Sequence, residues 1–299
     1  MRSVTDLADL FPDVETLRLA VEKNDYLTSP GLATALFCSL RLHQPLLLEG
    51  EPGVGKTEAA KVLASVLGTP LIRLQCYEGI DISEAVYEWN YPKQLLAIRL
   101  AEAEKRHLED HDLFGEDYLI ERPLLKALRQ NGPMPSVLLV DEVDRSDDEF
   151  EAFLLEMLGE STITIPELGT FSSKVPPVVI LTSNRTRDLH DALKRRCIYH
   201  WITYPDTQTT VEILRRRVPE ASTSLLIQAA RAVNRIRTVS HLQKPPGMAE
   251  TIDWVKALIL LGVDSLVGLN SDAALGSLIK YREDFELASE AWSEDVELG

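Results

Sequence analysis

Positive charge is what this sequence is short of. It carries 31 lysines and arginines against 47 aspartates and glutamates, a formal net charge of −16. Such a surface repels polyphosphate at long range, which excludes nucleic acid as a default partner unless a local basic groove overrides it. Cysteine is scarce as well. Cys38, Cys76 and Cys197 are odd in number and widely spaced, which excludes a disulfide framework or a zinc cluster and suits a reducing compartment. Long apolar runs are missing: "VKALILLGVDSLVGL" is interrupted by Asp264 and is too short to span a bilayer. The opening "MRSVTDLADLFPDVETL" is too acidic and too weakly apolar for a signal peptide. No internal repeat or low-complexity tract is visible. These absences predict a cytoplasmic protein without a membrane span. What is present in quantity is apolar residues, 45% of the 299, enough to bury one large core or two smaller ones.

The periodicity predicts alternating strands and helices as far as Pro205. "SPGLATALFCSLRL" (29–42) reads as a helix with Ser29 as cap and Pro30 at its first position. Residues 45–49 read as a buried strand, 58–67 as a helix ended by Gly68, and "PLIRLQC" as a second strand. "EAVYEWNYPKQLLAIRLAEAEKRHLEDH" is polar and helical in its second half. "SVLLVDE" is a third strand, "DDEFEAFLLEMLGE" a helix, "TITIPELGTF" a hairpin arm, "PPVVILTSN" a fourth strand and "RCIYHWITY" a fifth. Strands alternating with helices imply a parallel sheet sandwiched by helices. After Pro205 no strand pattern remains; helical patterns occupy 207–217, 222–238, 246–262 and 271–288. The predicted domains are an α/β core at 1–205, with an N-terminal helical segment, and a small all-α domain at 206–299.

Four constellations carry chemistry. The first is "GEPGVGKT", a G-x-x-x-x-G-K-T loop made of Gly50, Glu51, Pro52, Gly53, Val54, Gly55, Lys56 and Thr57, with Glu58 opening the next helix. Glycines let successive N–H groups converge on phosphate oxygens, and the helix that follows adds its positive end. Lys56 would reach the β- and γ-phosphates of ATP, and the Thr57 hydroxyl would ligate Mg2+. The second is "VLLVDE", an apolar strand ending in Asp141, suited to holding the metal directly or through water, and Glu142, suited to orienting and polarising the attacking water. The bland alternative for both acids is helix capping. The third is Asn184, ending "VVILTSN", which either contacts the γ-phosphate or is a turn residue. The fourth is "DALKRRC": Arg195 and Arg196 are either solvated residues at a helix end or arginine fingers for a neighbouring subunit, with Arg196 favoured. Arg185 and Arg187 are further candidates.

Phosphate loop, acidic strand end, strand-end Asn, arginine and helical lid, in this order, resemble the P-loop NTPases of the AAA+ class. The block "YLIERPLLKALRQNGPMPSVLLVDEVDRSDDEFEAFLLEMLGESTITIPELG" resembles the MoxR group, and "YEWNYPKQLLAIR" and "KPPGMAETIDWVKAL" are similar to its CoxD-like branch. The resemblance implies an ATPase that works as a homo-oligomeric ring, a hexamer, with ATP at subunit boundaries. It further implies a chaperone role in maturation or metal insertion of a metalloenzyme client such as a molybdenum hydroxylase, beside a partner with a von Willebrand factor A domain. The hairpin at 162–170 and the segment at about 78–122 would face the ring's pore.

One departure stands out. Many relatives carry an arginine at the start of the third lid helix, where it touches the γ-phosphate. Here "PPGMAETIDW" offers none: either Lys244 just before it substitutes, or another lid arginine does, or the contact is missing. Three other functions compete: a DNA-associated loader, which needs a basic face; a small-molecule kinase, which needs neither the Asp-Glu strand end nor a lid; and a nucleotide-gated scaffold with little turnover, against which Glu142 stands.

Overall fold

A computed structural model of the chain describes residues 7–107, 109–130, 132–266 and 275–297. Three helices come first: α1 (Leu7–Leu10), α2 (Val14–Glu22) and α3 (Pro30–Leu42). Then come β1 (Leu46–Gly50), α4 (Lys56–Leu67), β2 (Leu71–Gln75), α5 (Ile82–Ala85), β3 (Tyr87–Trp89), α6 (Tyr91–Ala103), α7 (Asp110–Leu113), β4 (Leu119–Glu121) and α8 (Pro123–Leu128). The chain continues through β5 (Val137–Asp141), α9 (Asp148–Glu160), β6 (Thr162–Ile165), β7 (Gly169–Ser172), β8 (Val178–Ser183), α10 (Asp191–Arg196) and β9 (Ile198–Ile202). It closes with α11 (Thr207–Arg217), α12 (Thr223–Thr238), α13 (Met248–Leu260) and α14 (Arg282–Glu297). The described residues fall into two compact units, one drawn from those within 7–24, 28–49 and 57–201, the other from those within 25–27, 50–56 and 202–297.

The first unit is built on a parallel five-stranded sheet flanked by helices, strand order β2-β5-β8-β1-β9. Every residue of β1, β5 and β8 is buried, as expected for central parallel strands covered on both faces. Leu138, Leu139, Val140, Ile180 and Leu181 are fully enclosed, each contributing about 1.5–3 kcal/mol of transfer free energy. Side chains begin the helices. Ser29 caps α3 as anticipated, accepting from Leu32 N at 3.1 Å, with Pro30 next, and Asp147 caps α9 by accepting from Phe150 N at 2.9 Å. Both helices stop at a residue in the left-handed region, His43 and Ser161.

Two small antiparallel pairs stand apart from the main sheet. The hairpin β6–β7 pairs Thr162 with Ser172 and Ile165 with Gly169. The other pair, β3–β4, sets Tyr87 opposite Glu121 and Trp89 opposite Leu119. Sequence periodicity did not announce it, because three-residue strands are too short for alternation to register. Trp89 is buried there, edge-on to Phe114. The α6 helix, N-capped by Asn90, leaves Tyr91, Leu95, Leu96 and Leu100 exposed.

The core of the second unit contains Leu214, Leu225, Val233, Trp254, Leu258 and Ala288, drawn from α11 to α14. Its last helix differs from expectation. A helix was predicted over 271–288; residues 271–274 lie outside the described residues, and α14 begins at Arg282. Leu275, Leu278 and Ile279 have helical spacing, but they enter the core from a 3-10 turn over Leu275–Ser277 and the two residues after it. A spacing of three or four residues fits both geometries. Among the described residues no helix is long and apolar enough to cross a membrane.

Candidate functional site

In the first unit the strand order sets the carboxyl ends of β5, β8 and β1 side by side, the place where open parallel sheets bind ligands. Asp141 ends β5 and is 3% exposed. Its Oδ1 accepts from Thr182 Oγ1 at 2.5 Å and from Thr57 Oγ1 at 3.1 Å. Its Oδ2 lies 3.3 Å from the same Thr57 hydroxyl and 2.5 Å from an Nη of Arg73. Thr182 also accepts from the amide of Glu142 at 2.9 Å, so one hydroxyl fixes both acidic residues. Glu142 sits at φ 56, a left-handed conformation that costs of order 1–3 kcal/mol for a non-glycine residue. It turns the side chain off the strand, where Gln75 Nε2 (3.1 Å) and Arg145 Nε (3.2 Å) contact the carboxylate.

Asn184 follows β8 and is partly buried. Its backbone N–H donates to Asp144 Oδ1 at 3.2 Å, and Asp144 also accepts from the Thr186 amide at 2.8 Å. A buried carboxylate thus ties the Asn184 loop to the end of β5. Glu49, 4% exposed, accepts from Tyr199 OH at 3.0 Å and Ser183 Oγ at 3.3 Å, with Arg185 Nε at 4.0 Å. Burial first, and the bond to Glu49 second, push the Tyr199 hydroxyl pKa up. The arginines divide by role. Arg187 pairs with the fully buried Glu151 and donates to Ser146 O, a structural placement. Arg196 donates to the Leu155 carbonyl beside Gly159, and Arg195 is exposed in the last turn of α10.

The phosphate-loop candidate belongs to the second unit up to Lys56. Lys56 is 7% exposed, and its Nζ donates to Gly50 O at 2.7 Å and Glu51 O at 2.9 Å. Pro52 O accepts from Tyr204 OH at 3.0 Å, Gly53 O from Met248 N at 2.9 Å, and Gly55 O from Tyr26 OH at 3.2 Å. Five loop carbonyls are therefore occupied by donors. Occupied carbonyls leave the loop's peptide N–H groups better placed than its oxygens to meet an anion. Gly53 has φ 78, and a Cβ there would come within 2.7 Å of Gly247 Cα.

Lys244 is anchored through its backbone, its N–H donating to Asp284 Oδ2 at 3.0 Å, while its Nζ lies 3.6 Å from Glu250. An arginine of α12 that sequence reasoning did not single out lies nearby. Arg237 stacks over the Tyr204 ring at 4.4 Å and donates to Pro246 O at 2.9 Å. Burial pulls its pKa down to about 10. The donor set fits a magnesium ion carried on a nucleotide. Thr57 Oγ1 and the Asp141 carboxylate are hard oxygen ligands in contact, and no three His, Cys, Asp or Glu side chains form a cage among the described residues. Magnesium is usually held by one or two carboxylates plus phosphate oxygens. An apolar cavity of about 320 Å³, lined by Leu40, Pro45, Leu128, Met157 and Val179 among others, borders the amino ends of β1 and β8 and includes none of these groups.

The family model described as "AAA domain (dynein-related subfamily)" matches residues 45–197, a little over half of the chain. The chain belongs to the AAA family. Membership implies nucleotide binding, typically with magnesium, in a fold whose members usually oligomerise. Among curated relatives, an uncharacterized protein of Staphylococcus haemolyticus is 23% identical over 286 residues, covering 92% of this chain and 98% of its own length. An uncharacterized protein of Staphylococcus aureus is 26% identical over 247 residues, covering 79% of this chain and 82% of its own. A solved structure from Cytophaga hutchinsonii is similar over 92% of this chain and 86% of its own, at 17% identity and a TM-score of 0.48.

Proposed function

We propose that this AAA protein hydrolyses magnesium-ATP and uses the energy to remodel a partner protein, as a MoxR-type chaperone resembling the CoxD-like branch. One observation carries the catalytic half: Thr57 and Asp141 share a hydrogen bond at the buried end of β5, with Glu142 turned out beside them. In this reading residues 1–205 form the ATPase core and 206–299 the lid. The loop Gly50–Thr57 binds the triphosphate, with Lys56 exchanging its carbonyl partners for phosphate oxygens. Thr57 and Asp141 hold magnesium, which when bound neutralises phosphate charge. Glu142 takes a proton from the attacking water at its carboxylate. The water oxygen bonds to the γ-phosphorus as the bond to the bridging oxygen breaks, leaving ADP and phosphate. The Asn184 amide orients the water or the γ-phosphate. Arg196, or Arg195 beside it, reaches the nucleotide of the next subunit in a hexameric ring. For Arg196 that means giving up the Leu155 carbonyl.

Charge and surface chemistry support a polypeptide client. The chain carries −16 overall, and "TITIPELGTFS", which spans β6–β7, contains no lysine or arginine. The exposed Tyr91, Leu95, Leu96 and Leu100 of α6 offer apolar contact. A metalloenzyme under maturation and a von Willebrand factor A adaptor are the proposed partners. The test is an ATP turnover assay with single-stranded DNA, duplex DNA, RNA and candidate protein partners in parallel, together with capture of clients by a Glu142→Gln variant in ATP. A protein partner should raise the rate and nucleic acid should not. Strong stimulation by nucleic acid that survives moderate salt would replace this reading with a DNA-associated loader.

A further inference from the structure

The edge strand β2 contributes a cation to the acidic centre that no part of the proposed mechanism uses. In the parallel register Gln75 lies opposite Asp141 and Arg73 opposite Leu139. Strand alternation turns Ile72 and Leu74 into the core and leaves Arg73 and Gln75 together on the other face. An Nη of Arg73 lies 2.5 Å from Asp141 Oδ2 and 2.5 Å from Gln75 Oε1. Asp141 Oδ1 is meanwhile taken by the hydroxyls of Thr182 and Thr57. The carboxylate is 4% exposed at its side chain, whereas Arg73 is 50% exposed. A buried carboxylate needs compensation. A half-exposed guanidinium can provide it and still leave at little cost, because water replaces its contacts.

Resting on the assignment of Asp141 to the nucleotide's metal, we propose that Arg73 is a movable counter-charge. It neutralises Asp141 while the site is empty and competes with the divalent cation for the same carboxylate, because two positive charges drawn to Oδ2 repel each other. Metal loading therefore works against the Arg73–Asp141 pair, and the residue sets the magnesium concentration the protein requires. An ion pair with one exposed partner shifts that requirement by about two- to fivefold.

The test follows binding of a fluorescent ADP analogue against magnesium concentration for the wild type, Arg73→Gln and Arg73→Lys, with thermal melts of each protein with and without magnesium-ADP. ADP removes turnover from the readout. Half-saturating magnesium should fall about two- to fivefold in Arg73→Gln, with Arg73→Lys between it and the wild type. Arg73→Gln should melt lower than the wild type without ligand and close to it when saturated; a merely structural arginine would lower both melts equally. If Arg73→Gln does not fold, the lysine variant alone carries the same comparison. An unchanged or raised magnesium requirement, in a wild type whose ADP binding does depend on magnesium, overturns the role of Arg73. A wild type that binds ADP without regard to magnesium overturns the metal assignment of Asp141 itself, and this inference with it.

Discussion

Gly247 is a position where a single methyl group should do damage by contact alone. It precedes α13 with φ −78 and ψ −180, a conformation alanine adopts freely, so no backbone strain enters. What stands in the way is the phosphate loop: a Cβ at Gly247 would come within 2.8 Å of Gly53 Cα and 3.1 Å of Gly53 O. Carbon atoms in contact prefer about 3.5–4.0 Å, so the two backbones must part by much of an ångström. The third neighbour, Glu250 Oε2 at 2.6 Å, is the end of a flexible side chain and can swing aside. Parting the backbones costs roughly 1–3 kcal/mol of overpacking and endangers the hydrogen bond from Met248 N to Gly53 O at 2.9 Å, worth about 1 kcal/mol more. Gly247→Ala should therefore destabilise the second unit by roughly 2–4 kcal/mol and weaken nucleotide binding, because Gly53 lies inside the candidate phosphate loop. Denaturant unfolding and ADP titration read both effects. Gly276→Ala, with nothing within 4 Å of the added carbon, is the matched control and should change stability by about 0.5 kcal/mol or less. A Gly247→Ala protein as stable as the control, with unaltered ADP affinity, would refute the close approach.

Three further outcomes are expected. Arg196→Ala should leave nucleotide affinity nearly intact and cut hydrolysis strongly, and mixing it with Lys56→Ala subunits should restore some turnover; rings shown to mix without rescue would argue against an arginine acting in trans. Lys244→Ala should weaken ATP more than ADP in parallel titrations if the lysine replaces the absent lid arginine, whereas equal weakening marks it as ordinary surface. His200 has its pKa lowered by burial from the usual 6.5. The unfolded chain therefore takes up the proton first as pH falls, and stability is lost from about pH 6.5 downward; thermal melts between pH 7.5 and 5.5 should show His200→Gln losing less than the wild type.

Much of the architecture was legible because its signals are local. The glycine loop, the apolar run ending in Asp141 and Glu142, and the cap Ser29 each declare themselves within a few residues. The meeting of Thr57 with Asp141, 84 residues apart, was anticipated only because a phosphate loop and an acidic strand end imply a shared sheet. The partners of these groups were not legible. Arg73 and Gln75 reach the acidic pair because β2 borders β5, and Glu49 meets Tyr199 and Ser183 because β1 lies beside both β8 and β9. Strand order is a tertiary fact that spacing along the chain does not encode. Thr182 sits in an apolar strand, where a β-branched residue reads as core; only the structure reveals a hydroxyl bridging Glu142 and Asp141. Arg237 shares the last turn of α12 with Arg235, and its contact with Tyr204 depends on packing within the second unit.

The central claim, that this chain cleaves ATP with Glu142 as the water-activating base, is tested most directly by measuring ATP binding by calorimetry and phosphate release on the same preparations of wild type, Lys56→Ala and Glu142→Gln. The account predicts that Lys56→Ala binds no ATP, because the β- and γ-phosphates lose their counter-charge, and that Glu142→Gln binds ATP but releases almost no phosphate. Phosphate release from Glu142→Gln at the wild-type rate would contradict it.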